Sequence, residues 1–265
     1  MAKPAGSRIV GYVGSQRERA RITGALRGWA LVLWVGALGD LPDAVRNADA
    51  PPLAAIVAPR DPVGTDGANV VRRLAALAPD LPVIAHCHTG VQQAADIRKM
   101  ASAGAHEFVF VGADDSGLAM RSVVESAQRV CAGRRVAEVV HPLLPGRLGE
   151  IAGVCLADPL RGRTVGGLAS LLGVNRRTLL NQCARAGGPP PAELIGWCRL
   201  MMAAHLLATA GQTVERVALE LEYPSATALR NAMKRYTGLR AGQVARDGGL
   251  AAVAAAFGRR VGAGA

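Results

Sequence analysis

Half of the 265 residues are hydrophobic and 19% are charged, which is chain enough for two ordinary domains, each able to bury a core. No run reaches the roughly 18 uncharged apolar residues needed to cross a bilayer, so a membrane-spanning segment is not expected. The formal net charge of +11 is uneven: residues 1–146 carry +3 and the shorter stretch 147–265 carries +8, the footprint of a polyanionic partner on the C-terminal part.

The opening Met1–Arg8 lacks the long apolar region of a secretory signal, and a cytoplasmic location is the expectation. Arg8–Val13 reads as a strand, Gln16–Arg27 as a helix, Ala30–Val35 and Leu53–Ala58 as the next two strands. Val70–Leu77 follows as a helix, Leu81–His86 as a fourth strand, Val91–Ala103 as a helix, Glu107–Val111 as a fifth strand and Gly117–Val130 as a last helix. Continuous apolar strands alternating with helices predict a parallel sheet covered on both faces, a doubly wound, flavodoxin-like α/β domain over residues 1–131. A Pro/Gly-rich stretch, His141–Gly146, places a linker at 132–147. Beyond it only helical patterns occur, predicting an all-α domain over 148–247. An Ala/Gly-rich tail, 248–265, is expected to be a frayed helix or disordered.

The C-terminal part contains a repeat. Thr164-Val165, Leu168-Ala169, Leu172 and Val174 recur 49 residues later as Thr213-Val214, Val217-Ala218, Leu221 and Tyr223. After the inserted Pro224 the offset is 50, matching Asn175 to Ser225, Leu179 to Leu229, Asn181 to Asn231, Cys183 to Met233 and Gly188 to Gly238. Each copy has the parts of a helix-turn-helix: a threonine to cap the first helix, a small alanine where two helices cross, a turn, a second cap and a buried leucine one turn on. Pro191–Ala208 between the copies reads as a linker helix of about 27 Å, long enough to hold two reading heads near one DNA turn apart, about 34 Å. Exposed Asn175, Arg176, Arg177, Leu180 and Asn181 in the first copy are the candidate DNA contacts, with Ser225, Ala226, Thr227, Arg230, Asn231, Lys234 and Arg235 in the second. Arginine pairs with guanine and asparagine with adenine, whereas Lys234 and Arg235 have the look of phosphate contacts. For Arg199 in the linker helix a salt bridge to Glu150 or Glu193 is expected, and Trp197 with Met201-Met202 is read as core.

Across Thr164–Arg246 the chain resembles the AraC/XylS family of transcription regulators. The resemblance rests on Leu168–Asn175, Arg176–Leu179, Gly188 with Pro191, Arg199-Leu200 with Ala203 and Leu206-Leu207, Val217–Tyr223, Lys234–Tyr236 and Gly238. Glu222 stands where the family usually has Gly in its second turn, and Ala241 where it usually has Pro. The resemblance implies two helix-turn-helix units, promoter DNA as partner and often activation by contact with RNA polymerase.

Residues 7–131 resemble response-regulator receiver domains, on Ala54–Gly67 and Gly104–Val111. Receiver chemistry needs an acidic pair for magnesium, a phosphoacceptor aspartate, a Thr/Ser and a lysine. Those slots hold Val13-Gly14-Ser15, Pro59, His86-Cys87-His88 and Val111, so the resemblance implies a pseudo-receiver that is not phosphorylated. Its expected job is homodimerisation or the sensing of a signal or partner. Asp61 and Asp66 are read as loop caps, and His86-Cys87-His88, with His106 approaching, as ordinary strand-end residues rather than a metal site. Gly11–Ser15 matches neither a dinucleotide fingerprint nor a P-loop. The five cysteines contain no C-x-x-C pair and read as reduced, mostly buried thiols. No catalytic residue, metal or cofactor is expected. The competing readings are a DNA-repair methyl acceptor, which shares the helix-turn-helix pair but needs a reactive cysteine, and a flavodoxin-like enzyme fused to a DNA-binding domain.

Overall fold

The computed structural model describes residues 8–90, 93–144, 146–157, 162–209, 213–246 and 249–262. The expected helix start at Val91 and the last three residues of the tail lie outside these. The chain divides into two compact units, Met1–Cys131 and Ala132–Ala265.

The first unit is a five-stranded, all-parallel sheet in the order β2-β1-β3-β4-β5. The strands are β1 (Arg8–Tyr12), β2 (Leu31–Trp34), β3 (Ala54–Val57), β4 (Val83–Cys87) and β5 (Glu107–Phe110), and the helices between them include α1 (Gln16–Leu26). Every residue of β3 and β4 is buried, as an apolar run demands when helices cover both faces. The edge strand β2 instead alternates, burying Val32 and exposing Leu31 and Leu33. Between β2 and β3 lies a short helix, α2 (Leu41–Arg46), that the sequence reading lacked. It is six residues long with Pro42 in its first turn, too short for a helical period to show, yet Leu41 and Val45 are buried. Helix α3 (Gly67–Leu77) starts three residues earlier than expected, capped by Asp66. Gly67 is required there, because a Cβ would lie 2.2 Å from the carbonyl oxygen of Ala58. Helix α4 (Ala94–Ala103) ends at Gly104 in the left-handed conformation.

Helix α5 (Gly117–Val140) overruns the expected end at Val130 by ten residues, its first part counted in one unit and its last part in the other. Residues 132–140, expected to open a linker, continue this helix. Ala132, Val136, Val140 and Leu144, spaced four apart, form one buried stripe in the core of the second unit. Gly133 lets α5 approach α6 (Gly146–Ala157), since a Cβ would meet the Leu156 carbonyl oxygen at 2.1 Å.

Among the described residues the second unit has helices and no strand. It continues with α7 (Val165–Leu171), α8 (Arg176–Arg185), α9 (Pro191–Thr209), α10 (Val214–Glu220), α11 (Ala226–Thr237), α12 (Ala241–Arg246) and α13 (Gly249–Gly262). Helix α9 is the hub: Leu194, Trp197, Cys198, Leu200 to Ala204 and Leu206 are buried around most of its circumference, so it shows little amphipathic rhythm. The tail expected to fray is α13, packed on α9. Val253, Phe257 and Val261 are buried, Phe257 stacks 5.2 Å from Trp197, and Arg260 grips Glu193 at 2.8 and 3.1 Å. Ala and Gly masked the signal, but Leu250, Val253, Phe257 and Val261 already repeat at helical spacing.

Candidate nucleic-acid interface

The two repeats fold into superposable backbone patterns. Thr164 caps α7 by accepting from the Gly167 N–H at 3.0 Å, and Thr213 caps α10 by accepting from the Arg216 N–H at 3.3 Å. At the turns the Val174 N–H donates to the Ala169 carbonyl at 3.0 Å and the Tyr223 N–H to the Ala218 carbonyl at 2.7 Å. Gly173 and Glu222 occupy the same left-handed position, with φ of 65° and 52°. Asn175 then caps α8 through the Thr178 N–H at 2.8 Å, and Ser225 caps α11 through the Ala228 N–H at 3.1 Å. Leu168, Leu179 and Cys183 are fully buried, as are Val217, Leu229 and Met233.

Once these cores are filled, the remaining faces of α8 and α11 point outward. Arg176, Arg177, Leu180 and Asn181 are exposed on α8, Leu180 at 49%. Among the described residues no carboxylate pairs with Arg176 or Arg177, and the guanidinium of Arg176 lies over Gly166, where a Cβ would come within 2.8 Å of Nη2. Thr227, Arg230, Asn231, Lys234 and Arg235 are exposed on α11, but Ala226 is half-buried against the core. Asn175 and Ser225 use a side-chain oxygen as a helix cap. Arg230 is held by Glu215 of α10 at 2.5 Å. The Glu215 carboxyl is kept below its usual range, first by its own backbone N–H and then by Arg230.

Arg199 corrects an expectation. It reaches neither Glu150, which pairs with Arg147, nor Glu193. Its Nη2 donates to the carbonyls of Leu221 and Glu222 at 2.8 and 3.2 Å, and its guanidinium sits 4.0 Å from the centroid of Tyr223. It therefore pins the second turn, where Glu222 also pairs with Arg163. These partners are 15 to 59 residues apart in sequence, so no local spacing announces them. Trp197, Met201 and Met202 are core, as expected.

Residues 168–247 match the family described as "Helix-turn-helix domain". They form an AraC-type helix-turn-helix domain. No curated protein matches the chain. Among solved structures the chain is similar to full-length FixJ from B. japonicum (14% identity, 82% of this chain and 98% of that one, TM-score 0.42). It is also similar to a response regulator from Burkholderia pseudomallei (16% identity, 65% and 96%, TM-score 0.38) and to an N-terminal receiver domain from Bacteroides fragilis (16% identity, 46% and 98%, TM-score 0.38). The strand order of the first unit is that of a flavodoxin-like fold.

In that unit the carboxyl ends of β1 and β3, where the strand order reverses, form the crevice in which such folds bind ligands. Val13, Gly14 and Ser15 follow β1, with Ser15 capping α1. Arg19 donates to the Val13 carbonyl at 2.5 Å and stacks near Tyr12 and Trp34, so a cation lies at the end of β1. Pro59 follows β3. Asp61 accepts from the Thr65 N–H at 2.7 Å; burial pushes its carboxyl up, but the hydrogen bonds of the loop outweigh this and hold it low. Asp66 accepts from the Ala68 N–H at 2.8 Å.

Glu18, an acid that the sequence reading missed, lies 3.8 Å from His86 Nδ1 and 3.4 Å from His88 Nε2. His86 is pushed down to about 4, by burial first, with His88 and Arg21 adding to the effect against the pull of Asp115. Asp115 is buried and bidentate with Arg21 at 3.1 and 2.8 Å. Burial raises its carboxyl, yet Arg21 and the Gly112 N–H hold it below the usual range. His106 accepts from the Val83 N–H at 3.0 Å rather than joining this group. Among the described residues no three His, Cys, Asp or Glu side chains are placed to hold a metal ion, and no helix is long and apolar enough to cross a membrane. All five cysteines are buried, and burial raises the thiols of Cys87 and Cys183; Cys198, hydrogen-bonded with Cys155, is raised further. A methyl acceptor needs an accessible thiolate, which this arrangement opposes.

Proposed function

We propose that the chain is a sequence-specific transcription regulator that reads duplex DNA with α8 and α11. The observation that carries this is the pair Arg176-Arg177 in the first turn of α8. The positive end of a helix dipole disfavours cations there by roughly 0.3–1 kcal/mol each, and no acidic residue sits in that turn to compensate. A purely structural helix has no reason to hold two arginines at that end; an anionic partner supplies one. In this reading Arg176, Arg177, Leu180 and Asn181 read bases, Thr227, Arg230 and Asn231 add to them, and Lys234 and Arg235 contact phosphates.

Helix α9, at about 28 Å by its 19 residues, joins the two helix-turn-helix motifs and suits two successive major-groove segments. The first unit, with a cation at the end of β1 and Pro59 after β3, is assigned homodimerisation or the sensing of a signal or partner without phosphorylation. Activation through RNA polymerase completes the proposal.

The test is recovery of genomic fragments by the full-length protein across a salt series. A shared motif, with affinity falling steeply as salt rises, is the expected result. Salt-sensitive binding without a motif replaces the reading with a nonspecific architectural role, and no binding at low salt overturns it. Incubation with a phosphoryl donor and magnesium, read by mass spectrometry, is expected to leave the first unit unmodified. Light scattering is expected to show a dimer.

A further inference from the structure

Between the start of α7 and the inner side of α11, over α9, lies a cleft of about 400 Å³. Its floor is apolar, with Val165, Ile195 and Ala232, and three guanidiniums, of Arg163, Arg199 and Arg235, edge it. Two of them are stiffened by aromatic faces: Arg199 over Tyr223 at 4.0 Å and Arg235 over Tyr236 at 5.0 Å. Arg199 also has a buried Nε that meets no hydrogen-bond acceptor. Gly196 keeps the cleft in shape, because a Cβ there would lie 2.6 Å from the Tyr236 hydroxyl.

The chemistry of this lining is specific. An apolar floor of this size suits a small organic body, since ligand cavities run from roughly 300 to 1,000 Å³. Three cations, of which among the described residues only Arg163 is paired with a carboxylate, that of Glu222, favour a negative head group. The DNA backbone fits less well. At 100° per residue, Ala232 and Tyr236 lie roughly half a turn around α11 from Thr227 and Lys234, away from the proposed reading face, and of the α11 lining only Arg235 is shared with it. A phosphodiester also has no use for an apolar floor.

We propose that this cleft binds a small amphiphilic organic anion, a carboxylate, sulfonate or phosphate head on an apolar body. A ligand there touches the start of the first helix-turn-helix and the recognition helix of the second, and so biases the spacing of the two. Binding itself does not depend on the DNA reading; its coupling to DNA does.

The test is titration of the full chain with 1-anilinonaphthalene-8-sulfonate, followed by its fluorescence. N-phenyl-1-naphthylamine, the same body without the sulfonate, is the control probe. The sulfonate is expected to bind and the neutral probe to bind at least tenfold more weakly. Arg163→Gln is expected to weaken the sulfonate about fivefold, the worth of one charge-assisted bond. Ala192→Trp, placed at an exposed lining position so that the fold is kept, is expected to abolish binding. Thermal melts of both variants confirm folding. Equal binding of the two probes, or sulfonate binding untouched by either folded variant, overturns the proposal, as does no binding at all. Random-sequence duplex at low salt is expected to weaken the dye no more than about fivefold, through the shared Arg235; full displacement assigns the cleft to the DNA surface and overturns a separate ligand site. If the protein binds no DNA, the DNA reading fails while the dye and its two variants still decide the cleft.

Discussion

Where the first helix-turn-helix has Gly166 and Gly173, the second has Glu215 and Glu222. The backbones around these positions are the same, down to the caps, the turn hydrogen bonds and the left-handed residue. The surfaces are not. In the first copy Arg176 rests over Gly166, with no carboxylate beside it among the described residues; in the second, Glu215 holds Arg230 and Glu222 holds Arg163. A duplicated scaffold can therefore keep its packing while its charge diverges, because packing fixes only the few buried residues of each helix. The first copy is left with two arginines at the start of α8 that no carboxylate pairs with among the described residues.

Substitution of base readers sharpens this contrast most. Arg176→Ala is expected to cost 10- to 100-fold on the preferred site, in line with the roughly 1–3 kcal/mol of a bidentate base contact, and to relax preference at one position. Thr227→Ala is expected to cost less than about threefold. Anisotropy titrations on duplexes varied one base at a time measure both. A site preference erased by Thr227→Ala and untouched by Arg176→Ala breaks the comparison.

The next effect is on stability and belongs to the second copy alone. Arg199→Ala removes two charge-assisted bonds to the Leu221 and Glu222 carbonyls and is expected to destabilise the second unit by about 2 kcal/mol, read from urea midpoints. Among the described residues no arginine plays this role for the first copy, whose turn carries glycine at the left-handed position.

These two predictions also divide what was legible in the sequence from what was not. The strands, their parallel arrangement and the paired helix-turn-helix units were legible, because buried strands and caps leave local marks: apolar runs, Thr164 and Asn175 before helices, Gly173 in a turn. Exposed Arg176, Arg177, Leu180 and Asn181 followed from the same periodicity. Helix α2 is too short to show a period, and α13 hid its stripe of Leu250, Val253, Phe257 and Val261 among alanines. The partners of Arg199, Arg230 and Arg163 were illegible for another reason. A long cationic side chain selects among acceptors brought near by tertiary packing, so Glu150 and Glu193 looked as suitable as the carbonyls actually used. Glu18 escaped notice because it approaches His86 and His88 from the helix after β1, not from the strand end where an acid was sought.

A smaller effect tests whether acid pairing is what quiets the second copy. Glu215→Gln releases Arg230 without changing the helix length or cap. DNA affinity is expected to rise about three- to fivefold at moderate salt, with one more unpaired cation at the interface steepening the salt slope by up to about 0.9. Since the Glu215 carboxyl lies below its usual range, the pair persists in mildly acidic buffer and the wild-type deficit is expected to hold there. An unchanged slope means Arg230 faces away from DNA in both proteins.

The smallest effect concerns Glu222. A side chain in the left-handed region costs roughly 1 kcal/mol, which Gly173 avoids in the first copy. Glu222→Gly removes that strain and loses an exposed ion pair with Arg163, worth at most a few tenths of a kcal/mol, along with some unfolded-state entropy. The net expectation is a gain of about 0.5 kcal/mol in urea, whereas Gly173→Ala in the first copy is expected to lose about 1 kcal/mol. Opposite signs at matched positions follow only if both turns need the same backbone and the second retains its glutamate for its charge. A loss on Glu222→Gly larger than an exposed ion pair provides means that the Arg163 pair, rather than the turn, holds the second unit together.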